Sequence, residues 1–147
     1  MADLESAREL EQALGRLLLR RNRTALYDAA LEGAPDGVDR QTYPVLSGLA
    51  RLGPLSAAAL AEEVGIDRSG ASRYADRLQA AGLIERTPDP GDRRARLLAL
   101  TPEGRRVVSG MRESLARHLA ERIENWPESR VATLVDGLRL LVPAPRD

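Results

Sequence analysis

Ser56-Ala57-Ala58-Ala59-Leu60-Ala61-Glu62-Glu63-Val64-Gly65-Ile66-Asp67-Arg68-Ser69-Gly70-Ala71-Ser72-Arg73-Tyr74-Ala75-Asp76-Arg77-Leu78-Gln79-Ala80-Ala81-Gly82 decides the reading of this chain. Ser56 is placed to cap a short helix through Val64, and Gly65 suits the left-handed residue that ends it. Ile66 is then a lone apolar link. Asp67 is placed to cap a second helix from Arg68 to Ala81, with Ala71, Tyr74 or Ala75, and Leu78 on its core side, and Gly82 stops it. Two short helices joined by a tight, glycine-containing turn form the outline of a helix-turn-helix.

Downstream, the hydrophobic period changes from helical to alternating. Leu83 to Thr87 and Arg96 to Leu100 read as two strands, separated by the turn-forming, arginine-rich run Pro88-Asp89-Pro90-Gly91-Asp92-Arg93-Arg94-Ala95. A hairpin of this kind projects its tip into solvent as a wing. Thr101-Pro102-Glu103-Gly104 restarts helix, with threonine as cap and proline at the first helical position. Val108, Met111, Leu115, Leu119, Ile123 and Trp126 then hold one apolar face. Pro127 opens a last helix carrying Val131, Leu134, Leu138 and Leu141, which Pro143 and Pro145 end.

Upstream, Leu4, Ala7, Leu10, Leu14, Leu17, Leu18 and Ala25 recur at helical spacing and predict one long helix over 3–31, closed by Gly33-Ala34-Pro35-Asp36-Gly37. A second helix carries Val45, Leu46 and Leu49 and ends near Leu52-Gly53-Pro54. Pro44 delays its regular part. The expected fold is mainly α with a small β-hairpin wing (α+β). A winged helix-turn-helix module over about 39–101 lies between helices over about 1–34 and 102–147, all in one domain of 147 residues. The module is too small to cover the apolar stripes of the flanking helices, so a second copy of the chain is the expected partner for them. The alternative is that these helices pack only on one another.

Composition removes whole classes of function. With no cysteine there is no disulfide, thiol catalysis or thiol redox sensing, and the single histidine, His118, provides no cluster for zinc or iron. No cofactor motif is present, and no cofactor is expected. No apolar run suits a membrane span, and the acidic N-terminus does not read as a secretion signal, so a cytoplasmic protein is expected, on the nucleoid when bound to DNA. All 22 basic residues are arginine, balanced by 22 acids. Residues 1–65 hold 7 arginines against 10 acids, residues 66–106 hold 9 against 6, and the remainder 6 against 6, giving nets of −3, +3 and 0. The basic middle coincides with the helix-turn-helix and hairpin, where a polyanion would bind.

The order Gly53-Pro54-Leu55-Ser56, Leu60-Ala61, Ile66-Asp67-Arg68-Ser69, Ser72-Arg73, Asp76-Arg77-Leu78 and Gly82-Leu83-Ile84-Glu85-Arg86 continues into Asp89-Pro90-Gly91-Asp92-Arg93-Arg94 and Leu100-Thr101-Pro102-Glu103-Gly104. In this order the sequence resembles the MarR family of winged helix-turn-helix regulators, over nearly the whole chain. The Asp-x-Arg signature of the wing followed by Leu-Thr-x-x-Gly is its most specific part. The resemblance implies a homodimer on a near-palindromic double-stranded operator, acting as a repressor that a small aromatic or phenolic effector releases. It also implies that Arg94 enters the minor groove with Asp92 holding its guanidinium.

The residues themselves fit that assignment. A recognition helix needs short polar residues at its start, so that backbone can approach base edges, and arginines able to fork onto guanine. Arg68, Ser69, Gly70, Ser72, Arg73 and Arg77 offer this chemistry opposite Ala71 and Leu78; the alternative is a solvated face partly neutralised by Asp76. Arg93 and Arg96 suit phosphates, which fix register without reading sequence. Tyr43 reads as core packing and His118 as a half-buried interface residue; by resemblance both are candidates for an effector cleft. The competing function is a helical protein-interaction or ligand-sequestering module on the same fold. Such a module would lose its wing and recognition-helix arginines first, and all of them are present. An enzyme is not expected, because no nucleophile–base pair, metal spacing or cofactor motif is found.

Overall fold

The computed structural model describes residues 3–142. Its elements, in chain order, are α1 (Leu4–Leu18), α2 (Arg20–Leu31), α3 (Tyr43–Leu52), α4 (Ala57–Val64), α5 (Arg68–Ala80), β1 (Ile84–Pro88), β2 (Arg96–Leu100), α6 (Pro102–Ile123) and α7 (Glu128–Leu141). Mainly α with one antiparallel hairpin, the architecture is the expected one. The predicted stop at Pro143 and Pro145 lies outside the described residues.

The helix expected over 3–31 is two helices. Leu19 leaves helical geometry at φ −54° and ψ 138°, and the Asn22 side-chain amide donates to the Arg16 carbonyl at 2.5 Å. A short polar side chain has captured a carbonyl at the helix end, as asparagine readily does. The apolar stripe also lapses here, because Arg20-Arg21-Asn22-Arg23 interposes polar residues between Leu18 and Ala25.

The core joins the helix-turn-helix and hairpin to α2, α3 and α6. Ala30 from α2, Val45, Leu46 and Leu49 from α3, Leu60 from α4, Ala75 and Leu78 from α5, and Val108 and Met111 from α6 close on Leu83, Ile84 and Leu98 of the hairpin. The strands pair from Ile84 opposite Leu100 to Pro88 opposite Arg96. Leu55 adds a bridge to Leu98, with amide–carbonyl bonds of 3.1 and 2.7 Å, which anchors the hairpin base to the segment leading into α4. β1 starts one residue later than predicted, since Leu83 still bonds the end of α5, its amide donating to the Leu78 carbonyl at 2.9 Å.

Outside that core the picture inverts. Neither α1 nor α7 has a buried residue, and Leu4, Leu10, Leu17, Leu18, Leu134 and Leu138 stand exposed. α6 ends at Ile123, short of Trp126, which is 41% exposed in the single chain and so is not core.

Candidate nucleic-acid interface

The two helices of the helix-turn-helix are capped as their sequences require. Ser56 Oγ accepts the Ala59 amide at 3.1 Å. Gly65 takes the left-handed turn at φ 71°, a conformation that costs L side chains energy. Asp67 Oδ1 accepts the Gly70 amide at 2.8 Å and the Ser69 hydroxyl at 2.5 Å. The Ser69 hydroxyl and then the Gly70 amide hold the Asp67 carboxyl below the ordinary aspartate value. Gly70 therefore differs from the sequence expectation. It is buried, and a Cβ there would lie 3.1 Å from the Asp67 carboxylate, so it makes room for the cap and does not present backbone outward.

The remaining face of α5 sorts its arginines into free and held. Arg68 lies 3.8 Å from Glu62, with both side chains exposed, a pair too long and too wet to fix either partner. Ser72 and Arg73 are exposed. Arg73 forms no ion pair among the described residues, and its guanidinium sits 5.8 Å from the Tyr74 ring centroid. Arg77 is held: one nitrogen donates to Asp39 Oδ2 at 2.6 Å and another to Gln41 Oε1 at 3.3 Å. Asp76, which the sequence offered as a neutraliser within the helix, instead accepts from Arg86 of β1 at 2.7 Å; Arg86 also donates to Gln79. Arg86 thus ties the hairpin to α5. No local signal marks its partner, because the pair spans two elements.

The hairpin tip is built from two aspartate turns. Asp89 Oδ1 accepts the Gly91 amide at 2.8 Å, and Asp92 Oδ1 accepts the Arg94 amide at 2.9 Å. This corrects the expectation that Asp92 holds the Arg94 guanidinium. The carboxylate engages backbone two residues on, the usual aspartate turn, and leaves the arginine fork unpaired. Arg93, Arg94 and Arg96 are all exposed, and none forms an ion pair among the described residues. Arg73 and these three supply four guanidiniums without an ion pair among the described residues, on α5 and on the hairpin fastened to it.

Residues of α2, α3, α4 and α6 line a cleft of about 850 Å³. Tyr27, Tyr43, Ser47, Arg51, Glu63 and Arg112 are among its lining residues, and the two tyrosine rings meet at 4.8 Å and 51°. Such tilted contact is favourable for aromatic rings. Tyr43, read from the sequence as core packing and by resemblance as an effector-cleft candidate, lines this cleft. His118 does not line this cleft. It lies farther along α6, half-buried, with Nε2 inaccessible and without a hydrogen-bond partner among the described residues.

Comparison with known proteins agrees with this geometry. Residues 36–95, from the α2–α3 loop through the hairpin tip, match the family model described as MarR family. YxaD of Bacillus subtilis, an uncharacterized HTH-type transcriptional regulator, is 30% identical over 104 residues, which are 71% of this chain and 73% of YxaD. The structure of a MarR family protein from Bacillus stearothermophilus superposes with a TM-score of 0.76 at 21% identity, covering 96% of each chain, a likeness of fold. The PcaV transcriptional regulator from Streptomyces coelicolor, crystallised with its natural ligand, superposes at 0.58 with 28% identity, again over 96% of each chain. A capped helix-turn-helix, a basic hairpin fastened beside its second helix, and these likenesses lead to one conclusion: the chain belongs to the MarR family of winged helix-turn-helix transcriptional regulators.

Proposed function

We propose that the chain is a homodimeric, sequence-specific repressor that sits across a near-palindromic operator and is released by a small effector. The observation that carries DNA binding is the distribution of arginines: Arg73, Arg93, Arg94 and Arg96 are exposed and form no ion pair among the described residues, while Arg77, Arg86 and Arg106 of the same basic segment are spent on Asp39, Asp76 and Glu103. Arg68, Ser69, Ser72 and Arg73 meet base edges in the major groove. Arg93 and Arg96 take phosphates, and the free fork of Arg94 enters the minor groove. A degenerate, protein-binding member of the fold has no reason to keep four uncompensated guanidiniums on this face. Occupying the operator blocks it sterically, and no further surface is needed for repression.

Dimerisation through the first and last two helices is supported by the exposed leucines of α1 and α7. Leu134, Leu138 and Leu141 are 46, 44 and 47% exposed in the single chain, and a contiguous apolar face of this kind is uncommon on monomers. Effector binding is supported by the cleft, whose tyrosine pair and two arginines suit a small aromatic or phenolic molecule; the PcaV regulator, of similar fold, holds a natural ligand. No helix among the described residues is long and apolar enough to cross a membrane; a cytoplasmic protein, on the nucleoid when bound to DNA, belongs to the same proposal. Selection of duplexes from a random library by the purified chain, with its mass measured by sedimentation at micromolar concentration, tests the proposal. An enriched near-palindrome and a dimer mass are expected. A monomer that enriches no sequence refutes it.

A further inference from the structure

Asp39 closes a corner of reciprocal side-chain and backbone hydrogen bonds. Its Oδ1 accepts the amides of Gln41 and Thr42 at 2.8 and 2.9 Å. Thr42, fully buried, returns the bond: its Oγ1 accepts the Asp39 amide at 2.9 Å. The corner is therefore rigid, and it starts α3. Oδ2 of the same carboxylate faces the other way and accepts from Arg77 on the outer face of α5 at 2.6 Å, while Gln41 Oε1 takes a second nitrogen of that guanidinium. A planar fork held by two acceptors from one rigid corner has one orientation, and it transmits that orientation to the helix carrying it.

The apolar side of α5 cannot set that orientation alone. Its buried positions are Gly70, Ala71, Ala75 and Leu78, and three of these four are too small to interlock with a neighbour. Rotation of α5 about its axis is opposed on one flank by Arg86 on Asp76 and on the other by Asp39 on Arg77. On the DNA-binding reading above, on which this rests, we propose that Asp39 is a positioning residue for DNA recognition and that Arg77 is its anchor: the pair sets how α5 presents Ser72 and Arg73 to the groove, and Arg77 reads no base.

The two roles open to Arg77 predict opposite signs for one substitution. As a base reader kept waiting by Asp39, Arg77 would be released by Asp39→Asn, and operator binding would tighten. As an anchor, it would lose its hold, and operator binding would weaken. The experiment measures affinity of the full chain for its selected operator and for a random duplex, in the wild type, Asp39→Asn, Arg77→Gln, the double variant and the exchange Asp39→Arg with Arg77→Asp. The positioning role predicts that each single variant weakens operator binding roughly three- to tenfold, and that the double variant is no weaker than either single one. It also predicts unchanged affinity for random duplex, no base position at which Arg77→Gln relaxes preference, and partial recovery in the exchange variant. A variant that merely folded poorly would lose operator and random duplex in the same proportion, which would count against positioning. Operator binding by Asp39→Asn that equals or exceeds the wild type overturns the inference and leaves the DNA-binding reading standing. A wild type that prefers no sequence over random duplex overturns that reading, and the inference with it.

Discussion

Replacing Gly104 by alanine tests how firmly the β1–β2 hairpin is joined to α6. Gly104 is buried in the first turn of α6, its amide donating to Thr101 Oγ1 at 3.0 Å. A Cβ built there runs into the carbonyl oxygen of Leu83, with the carbonyl carbon at 2.9 Å and Leu100 Cδ2 at 3.3 Å. That oxygen already accepts the Thr101 amide at 3.1 Å, so it cannot turn aside without breaking a bond at the hairpin base. Two effects oppose each other. Alanine is favoured over glycine inside a helix by about 1 kcal/mol, and overpacking costs about 1–3 kcal/mol. Because the obstacle is backbone and not the end of a flexible side chain, the cost lies at the upper end, and the net loss is about 2 kcal/mol. At about 2–4 °C per kcal/mol for a chain of this size, the melting temperature falls by about 4–8 °C. Gly110, on the same helix, has open space where its Cβ would be, so Gly110→Ala keeps the propensity gain without the clash and gains about 0.5–1 kcal/mol. Thermal and urea unfolding followed by circular dichroism, at one fixed protein concentration, gives both values. A Gly104→Ala protein as stable as the wild type would refute the close junction between hairpin and helix.

Three further predictions concern the residues proposed to meet DNA and the corner at Asp39. Arg73→Ala should relax preference at one position in each half-site and cost about 1–3 kcal/mol, whereas Arg93→Ala should weaken all duplexes alike and flatten the salt dependence; identical losses on operator and random DNA for both would refute the distinction. Asp92→Ala removes a negative charge near DNA, which by Coulomb attraction alone tightens binding, but it also frees the Arg94 amide and loosens the tip, an ordering cost of about 1–2 kcal/mol. The account predicts weaker binding, and tighter binding at moderate salt would show that the aspartate turn does not position Arg94. Partial burial works to raise the Asp39 carboxyl, but Arg77 and the amides of Thr42 and Gln41 outweigh it and hold the value below the ordinary one. With a depressed folded value, the stabilisation is complete above the unfolded aspartate value of about 3.9 and is lost as pH falls through the folded one. The stability difference between wild type and Asp39→Asn, measured by urea unfolding, should therefore stay constant from neutral pH down to about 5 and shrink only below about 4; a change between pH 6 and 8 would contradict this.

What the sequence disclosed and what it concealed divide along one line, the distance over which a side chain acts. Ser56, Asp67 and Thr101 cap helices that begin one residue later, and all three bonds are present, because a cap and its amide are three residues apart and need no tertiary structure. The hairpin and its turn were legible for the same reason. Leu19 was not: no proline or glycine lies between Arg16 and Ala25 to stop the helix, and the Asn22–Arg16 bond shows where the backbone departs. The arginines of α5 look equivalent by type and spacing, yet Arg77 finds its partner 38 residues away in the α2–α3 corner, and Arg86 reaches back 10 residues to Asp76. Nothing local distinguishes a guanidinium that will be held from one that will stay free. Asp92 was misread for a subtler reason, since a carboxylate two residues before an arginine can serve its side chain or its amide, and turn geometry favours the amide.

Hydroxyl-radical footprinting of the purified chain on its selected operator tests the central claim most directly. Two recognition helices on a two-fold dimer, each flanked by a basic hairpin, should protect two patches on one face of the duplex, centred about 34–36 Å apart in successive major grooves. Each patch should have an adjoining minor-groove segment shielded by Arg94, and Arg94→Ala should expose only those segments. A single protected patch, or two on opposite faces, would contradict the account.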